Sequence, residues 1–283
     1  MAGLLNAFCQ VWFGITLFGA ILSWSAFANV FALLRLVGLV TTTMAEDLSS
    51  CAANISFRTA LFFNPQIRIT NNIDWAEFEA GGKAILLANH SSFMDFFIIM
   101  SAFPISTIFK RHPRTTIASA LTKVPLLGRT MSLSGTFKVY FQAKGSGFGK
   151  ADDENDYSVD RTAQKIEGDR MDTHLEAGGV VGVCPEGKLN KTPAKLATFR
   201  RGTFAQAIQH RAPIYGLVLS GCPRCWPLGA PIGGLPSALG MSLHKLEVAS
   251  EGDDAIEMAG RCQATMQRHV DALNARIQGG KTD

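Results

Sequence analysis

No side chain between residues 1 and 34 carries a charge, and Arg35 is the only charged residue before Glu46. As a helix this run would extend about 51 Å, against a bilayer hydrocarbon core of about 30 Å. A straight perpendicular span therefore uses too little of it. Two arrangements fit: a tilted span with an interfacial extension, or two helices dipping into one leaflet. Trp12, Phe13 and Trp24 are expected as interface anchors. A cleaved signal peptide fits badly, because no basic residues precede the run and it is too long. The competing arrangement is a helix wholly buried in a soluble core. Arg35, Arg58 and Arg68 all follow the run, so the positive-inside rule places the rest of the chain on the cytoplasmic side. Residues 1–42 are thus expected to be a membrane-anchoring helical segment, and residues 43–283 a globular domain.

The chain is 47% hydrophobic and only 18% charged, below the roughly 25% of an ordinary soluble domain. That excludes a disordered chain. Net charge is 27 − 23 = +4, too small for a dedicated nucleic-acid binder, and no nucleic-acid partner is expected. Six cysteines, at 9, 51, 184, 222, 225 and 262, lack the spacing of a disulfide framework and read as reduced thiols. Cys222-Pro-Arg-Cys225 has no second pair at ligand spacing, so no metal site is expected.

Beyond residue 80, apolar runs alternate with helical patterns. Strands are expected over 83–88, 105–109, 133–141, 179–184, 213–220 and 241–249. Helices are expected over 91–102, 117–123, 160–177 and 203–210. The clearest is the last, where Ile256, Ala259, Cys262, Met266, Val270, Leu273 and Ile277 recur every three or four residues. This alternation predicts an α/β fold, a mainly parallel sheet flanked by helices. Residues 142–158, rich in glycine and then in acids, read as a solvated, flexible insertion.

His90 and Asp95 lie at a strand-to-helix junction, where α/β folds place their sites. On one helix, residues five apart face about 140° away from each other. The pair meets only if His90 sits in the loop before the helix and Asp95 in its first turns. The carboxylate then holds one imidazole nitrogen and leaves the other as a base. Glu186, in Val183-Cys-Pro-Glu-Gly-Lys188, ends another apolar strand, at the same edge as His90 if the sheet is parallel. Lys188, Lys191, Lys195, Arg200 and Arg201 come next, a cluster suited to an anionic, phosphate-bearing substrate.

Together these motifs resemble the 1-acylglycerol-3-phosphate acyltransferases and wider glycerophospholipid acyltransferases over about residues 84–220. Asn89-His90 with Asp95 matches the family's His-x4-Asp motif, and Pro185-Glu186-Gly187 its Pro-Glu-Gly motif. Pro125-Leu-Leu-Gly128, preceded by Lys110, is similar to its second block; Phe199-Arg-Arg-Gly202 and Ala212-Pro213-Ile214 are similar to later ones. The family's second-block arginine is displaced here and is assigned to Arg161. Lys188-Leu189-Asn190 stands where Thr-Arg commonly follows Pro-Glu-Gly, a variant closer to some eukaryotic relatives and to tafazzin. The resemblance implies transfer of an acyl group from acyl-CoA, a co-substrate with no resident cofactor, to the hydroxyl of lysophosphatidic acid. It implies His90 and Asp95 as catalytic residues. Asn89, Lys110, Arg161, Glu186, Gly187, Lys188, Arg200 and Arg201 are implied for substrate binding. It makes the 43–283 unit an acyltransferase domain with the lipid bilayer, acyl-CoA and a lysophospholipid as partners, in the endoplasmic reticulum membrane if the cell is eukaryotic. Another lysophospholipid acceptor, tafazzin-like transacylation, and an inactive lipid-binding relative remain as alternatives. No G-x-S-x-G nucleophile elbow is present, which favours direct transfer over an acyl-serine intermediate.

Overall fold

A computed structural model describes residues 2–143 and 157–279; most of the insertion expected over 142–158 lies outside the described residues. Two long helices, α1 (Ala2–Leu36) and α2 (Thr42–Phe62), precede strand β1 (Ile67–Asn71) and a short α3 (Ala76–Ala80). Next come β2 (Ala84–Ala88), α4 (Met94–Ala102), α5 (Ile105–Arg111) and β3 (Pro113–Ala118). A 3-10 turn over Ser119–Lys123 leads to α6 (Leu127–Leu133), β4 (Phe137–Val139) and a hairpin of β5 (Phe141–Ala143) with β6 (Tyr157–Val159). The chain closes with α7 (Arg161–Glu176), β7 (Val180–Val183), α8 (Gly202–Gln209), β8 (Pro213–Ser220), α9 (Cys222–Cys225), β9 (Ser237–Val248) and α10 (Ala255–Gly279).

Seven strands form one sheet in the order β1-β9-β8-β2-β7-β3-β4. The five from β8 to β4 run parallel, and β9 pairs antiparallel with β8 while β1 runs parallel to β9. The fold is therefore the mixed, mainly parallel α/β sheet that the alternation implied. Every residue of β2 is buried. Its alternate side chains serve two cores, Leu86 and Ala88 on one face and Ile85 and Leu87 on the other. Burial on both faces is why this strand reads as an unbroken apolar run. Helices α1, α2 and α4 cover the first face; α7, α8 and α10 cover the second.

Helix α1 is a single continuous element with two different faces. Cys9, Phe13, Leu17, Ala20, Trp24 and Ala28, spaced by three and four, are buried. Leu4, Leu5, Phe8, Val11, Ile15, Phe18, Val30 and Leu33 are exposed. The wholly buried helix is thereby excluded. Of the three expected interface anchors, only Trp12 is exposed, and its indole donates to the Phe63 carbonyl at 2.7 Å. Phe13 and Trp24 instead join the core, because the helical period turns positions 13, 17, 20 and 24 towards the sheet. Trp24 packs edge-on to Phe57 of α2, and its Nε1 donates to Ser49, which bonds Ser134 before β4. Trp24→Ala should thus cost about 3–5 kcal/mol of stability, as for other large core truncations. Urea unfolding of detergent-solubilised protein checks this.

Other elements depart from the expectations. Residues 105–109 form helix rather than strand: Pro104 opens the turn, and Thr107, Ile108 and Arg111 face inward at helical spacing. The helix expected over 117–123 is strand to Ala118 and only a 3-10 turn after it. The strand expected over 133–141 begins only at Phe137, because Gly135, at φ +75°, turns the chain out of α6. A side chain at Gly135 would meet Glu46 and Arg114.

His174 near the end of α7 donates Nε2–H to the His112 carbonyl at 2.8 Å, and burial brings its pKa down to about 4. The unfolded chain binds this proton below about 6.5 while the folded one does not, so stability is complete above that pH. It should fall by up to about 3 kcal/mol as pH drops from 6.5 towards 4. Urea midpoints across that window should slope for the wild type, and less for His174→Gln.

Candidate active site

Strand β2 ends at Ala88, and Asn89 fixes the turn that leaves it. The Asn89 side chain donates to the Leu219 carbonyl at 2.9 Å and accepts from the Leu219 amide at 2.8 Å, locking this turn to β8. His90 lies in the loop and Asp95 in the first turn of α4, as a meeting at five residues' separation requires. Asp95 is wholly buried. Its Oδ2 accepts from the amides of Ser91 at 2.5 Å and Ser92 at 2.8 Å, and lies 3.2 Å from His90 Nδ1. These bonds to the ionised acid fix the carboxylate, which in turn makes Nδ1 the protonated nitrogen. The imidazole side chain is 27% exposed, so Nε2 is the nitrogen left for an incoming group.

Glu186 reaches the same place from the end of β7, but its carboxylate is already engaged. It is buried; Oε1 accepts from the His90 amide and Oε2 from the Ala197 amide, both at 2.9 Å. Burial pushes its pKa up, and the two amide bonds pull it back. Its geometry is that of a brace beneath His90. The loop after β7 closes over the His90 turn through a further bond, from the Asn190 amide to the His90 carbonyl at 2.7 Å. Gly187, at φ +69°, leaves room that the Arg200 side chain fills; any Cβ there would collide with it. Lys188 is half-buried in the same loop, and Arg201, at the start of α8, is exposed.

Arg161 is the exposed first residue of α7. Val159, two residues before it, pairs with Phe141 just beyond β4, so Arg161 lies at the carboxyl edge of the sheet beside β4. Lys110 is not brought to the site. Helices α4 and α5 carry the chain back to where Pro113 pairs with Val180, level with the first residue of β2. That is about 13 Å along β2 from Ala88, which itself stands two residues before His90. There Lys110 pairs with Glu79 at 3.3 Å.

Groups the motifs do not identify complete the surroundings. Ser92 Oγ donates to the Trp226 carbonyl at 2.7 Å, and the Trp226 ring stacks on Phe97 and meets Phe13 of α1 edge-on. Beneath the sheet's first face an apolar cavity of about 50 Å³ begins beside Ala88 and Cys184 and is lined further by Leu86, Met100, Phe103 and Gly182. The signal for the first group was the aromatic run around Phe93; the cavity had none, because its walls come from separate segments between Ser50 and Cys184.

A parallel sheet carrying a histidine–carboxylate pair at its carboxyl edge, beside an apolar cavity and basic side chains, suits proton abstraction from a hydroxyl of a partly apolar substrate. The chain belongs to the Acyltransferase family, whose model matches residues 66–220. Its fold is similar to the crystal structure of the 1-acyl-sn-glycerophosphate (LPA) acyltransferase, PlsC, from Thermotoga maritima. The TM-score is 0.70 at 16% identity, over 96% of this chain and 98% of that one. No curated protein matches the chain.

Proposed function

We propose that this acyltransferase moves a fatty acyl group from acyl-CoA to the free hydroxyl of lysophosphatidic acid, giving phosphatidic acid. The observation that carries the reading is the buried Asp95 holding His90 with one imidazole nitrogen turned outward. His90 Nε2 takes the hydroxyl proton as the oxygen attacks the thioester carbonyl. The C–S bond then breaks, the new ester forms, and the proton passes from the imidazole to the departing thiolate. Arg200, Arg201 and Lys188 follow Glu186 in the chain and suit the acceptor phosphate; Arg161 stands at the same edge of the sheet, beside β4 and three strands from β2. Glu186 and Asn89 act by holding His90, and Gly187 by admitting Arg200.

The exposed stripe of α1, with Ile55, Phe62 and Phe63 of the α2 end, is the surface for the bilayer. At about 25 cal/mol per Å² its burial in lipid is ample for attachment. Because α1 packs along the domain, it lies in one leaflet beside the catalytic edge, with the domain on the cytoplasmic side; in a eukaryotic cell the membrane would be the endoplasmic reticulum. Residues 1–42 then serve as anchor and wall together, and the acyltransferase domain runs from 43 to 283. A panel of lysophospholipids offered with one acyl-CoA to detergent-purified protein, read by product mass, tests the acceptor. Lysophosphatidic acid should be the preferred acceptor. Preference for a choline or cardiolipin-type acceptor would favour the tafazzin-like alternative, to which Lys188-Leu189-Asn190 is closer.

A further inference from the structure

The chain leaves β3 at Ala118, and β3 runs parallel to β7 and β2, so the segment after it stands at the carboxyl edge of the sheet, the edge of His90. There the backbone makes a turn that residues with a side chain rarely make. Leu126 has φ +64° and ψ −59°, and the Leu127 amide donates to the Pro125 carbonyl at 2.7 Å, the strained form of the γ-turn. The turn is held in place: the Gly128 amide donates to the Val124 carbonyl at 2.9 Å, and any Cβ at Gly128 would collide with the Thr122 backbone. Strain kept by such over-determination clusters at binding segments. Over the same residues apolar side chains face outward: Val124 is 37% and Leu126 38% exposed, with Pro125 exposed between them.

The neighbours of this turn point to what covers it. Lys123 and Arg129 are exposed on either side, and the sequence from Phe96 to Ala151 contains no acidic residue. Arg129 Nε donates to Asn29 Oδ1 at 3.0 Å, which ties α6 to α1 among the exposed Phe27, Val30 and Leu33. The turn thus stands beside the apolar stripe of α1 and adds positive charge to it. Apolar tips flanked by cations suit the interface of a bilayer that carries anionic headgroups.

We propose that the turn over residues 123–129 is a second bilayer contact, in which Val124 and Leu126 enter the lipid interface while Lys123 and Arg129 take the phosphates of anionic phospholipids. The proposal rests on the bilayer reading of α1 given above and extends it to lipid charge. A contact at this edge of the sheet holds the edge that carries His90 against the lipid surface.

The test places a nitroxide on Val124→Cys, where the backbone is ordinary, and in a second sample on Val30→Cys of α1. Full-length protein is reconstituted in phosphatidylcholine vesicles with phosphatidylglycerol, and wild type taken through the same labelling subtracts signal from native thiols. Both labels should collide with oxygen and be shielded from a water-soluble nickel chelate. Offered a mixture of neutral and anionic vesicles, wild type should favour the anionic ones. Lys123→Ser and Arg129→Ser should each cut that preference about fivefold, the worth of one charge at a lipid surface. Arg129→Lys keeps the charge and should keep the preference. A label in lipid at position 30 with one in water at 124 overturns the proposal and leaves the bilayer reading of α1 standing. A label at 124 covered by a second copy of the chain, seen as spin–spin broadening, overturns it equally. Both labels in water overturn the two together, and vesicle preferences unchanged in both serine variants overturn the role of the cations. Neither readout depends on turnover, so the acyl-transfer reading stands or falls separately.

Discussion

Replacing His90 with alanine should lower kcat by about 10²–10⁴-fold, the usual worth of a positioned general base. The fold should survive, because the side chain is partly exposed and its single structural partner is Asp95. The loss should fall on kcat and leave acyl-CoA KM nearly unchanged, since the imidazole acts on the transferring proton. Asp95→Asn should be similarly impaired in turnover and less stable. An amide oxygen can take the place of Oδ2, but it lacks the charge that strengthens the bonds from Ser91, Ser92 and His90. The double variant should turn over little worse than either single one, because the two residues work as a unit. If Asp95 merely started a helix and His90 were incidental, the variants would lose stability and keep normal turnover per folded molecule. Paired melting and turnover measurements on the same preparations separate the two.

The second large effect should come from Glu186. Alanine there leaves the half-buried amides of His90 and Ala197 without their acceptor, and stability should fall by about 2–4 kcal/mol. Turnover should fall with it, because a displacement of about 1 Å at the catalytic group costs on the order of 10² in rate. Acceptor KM should change little. Were Glu186 facing the acceptor instead, the same variant would raise acceptor KM and leave the melting point in place. Chemical denaturation and acceptor kinetics on Glu186→Ala decide between them.

His90 and Asp95 were legible in the sequence because their separation admits only one arrangement in which they touch. Strands β2, β7 and β8 were legible because burial on both faces leaves an uninterrupted apolar run, and α10 because one polar face remains in solvent. Helix α2 was hidden for the opposite reason. Its buried face is built from Ala45, Cys51, Ala52 and Ala60 with Asp47, Ser49 and Asn54, which carry no apolar periodicity to read. Lys110 was misplaced because motif order along the chain says nothing about which edge of the sheet a residue returns to. The brace formed by Glu186 was likewise invisible, since a carboxylate bonding two backbone amides looks in sequence like one awaiting a ligand.

The most direct measurement of the central claim tracks thiol release from acyl-CoA by detergent-purified protein, with and without lysophosphatidic acid, while mass spectrometry records both lipid and protein. Direct transfer by His90 predicts release that requires the acceptor, one phosphatidic acid formed per CoA freed, no acyl group on the protein, and loss of all of this in folded His90→Ala. Release that ignores the acceptor, an acylated protein, or full activity in His90→Ala would contradict it.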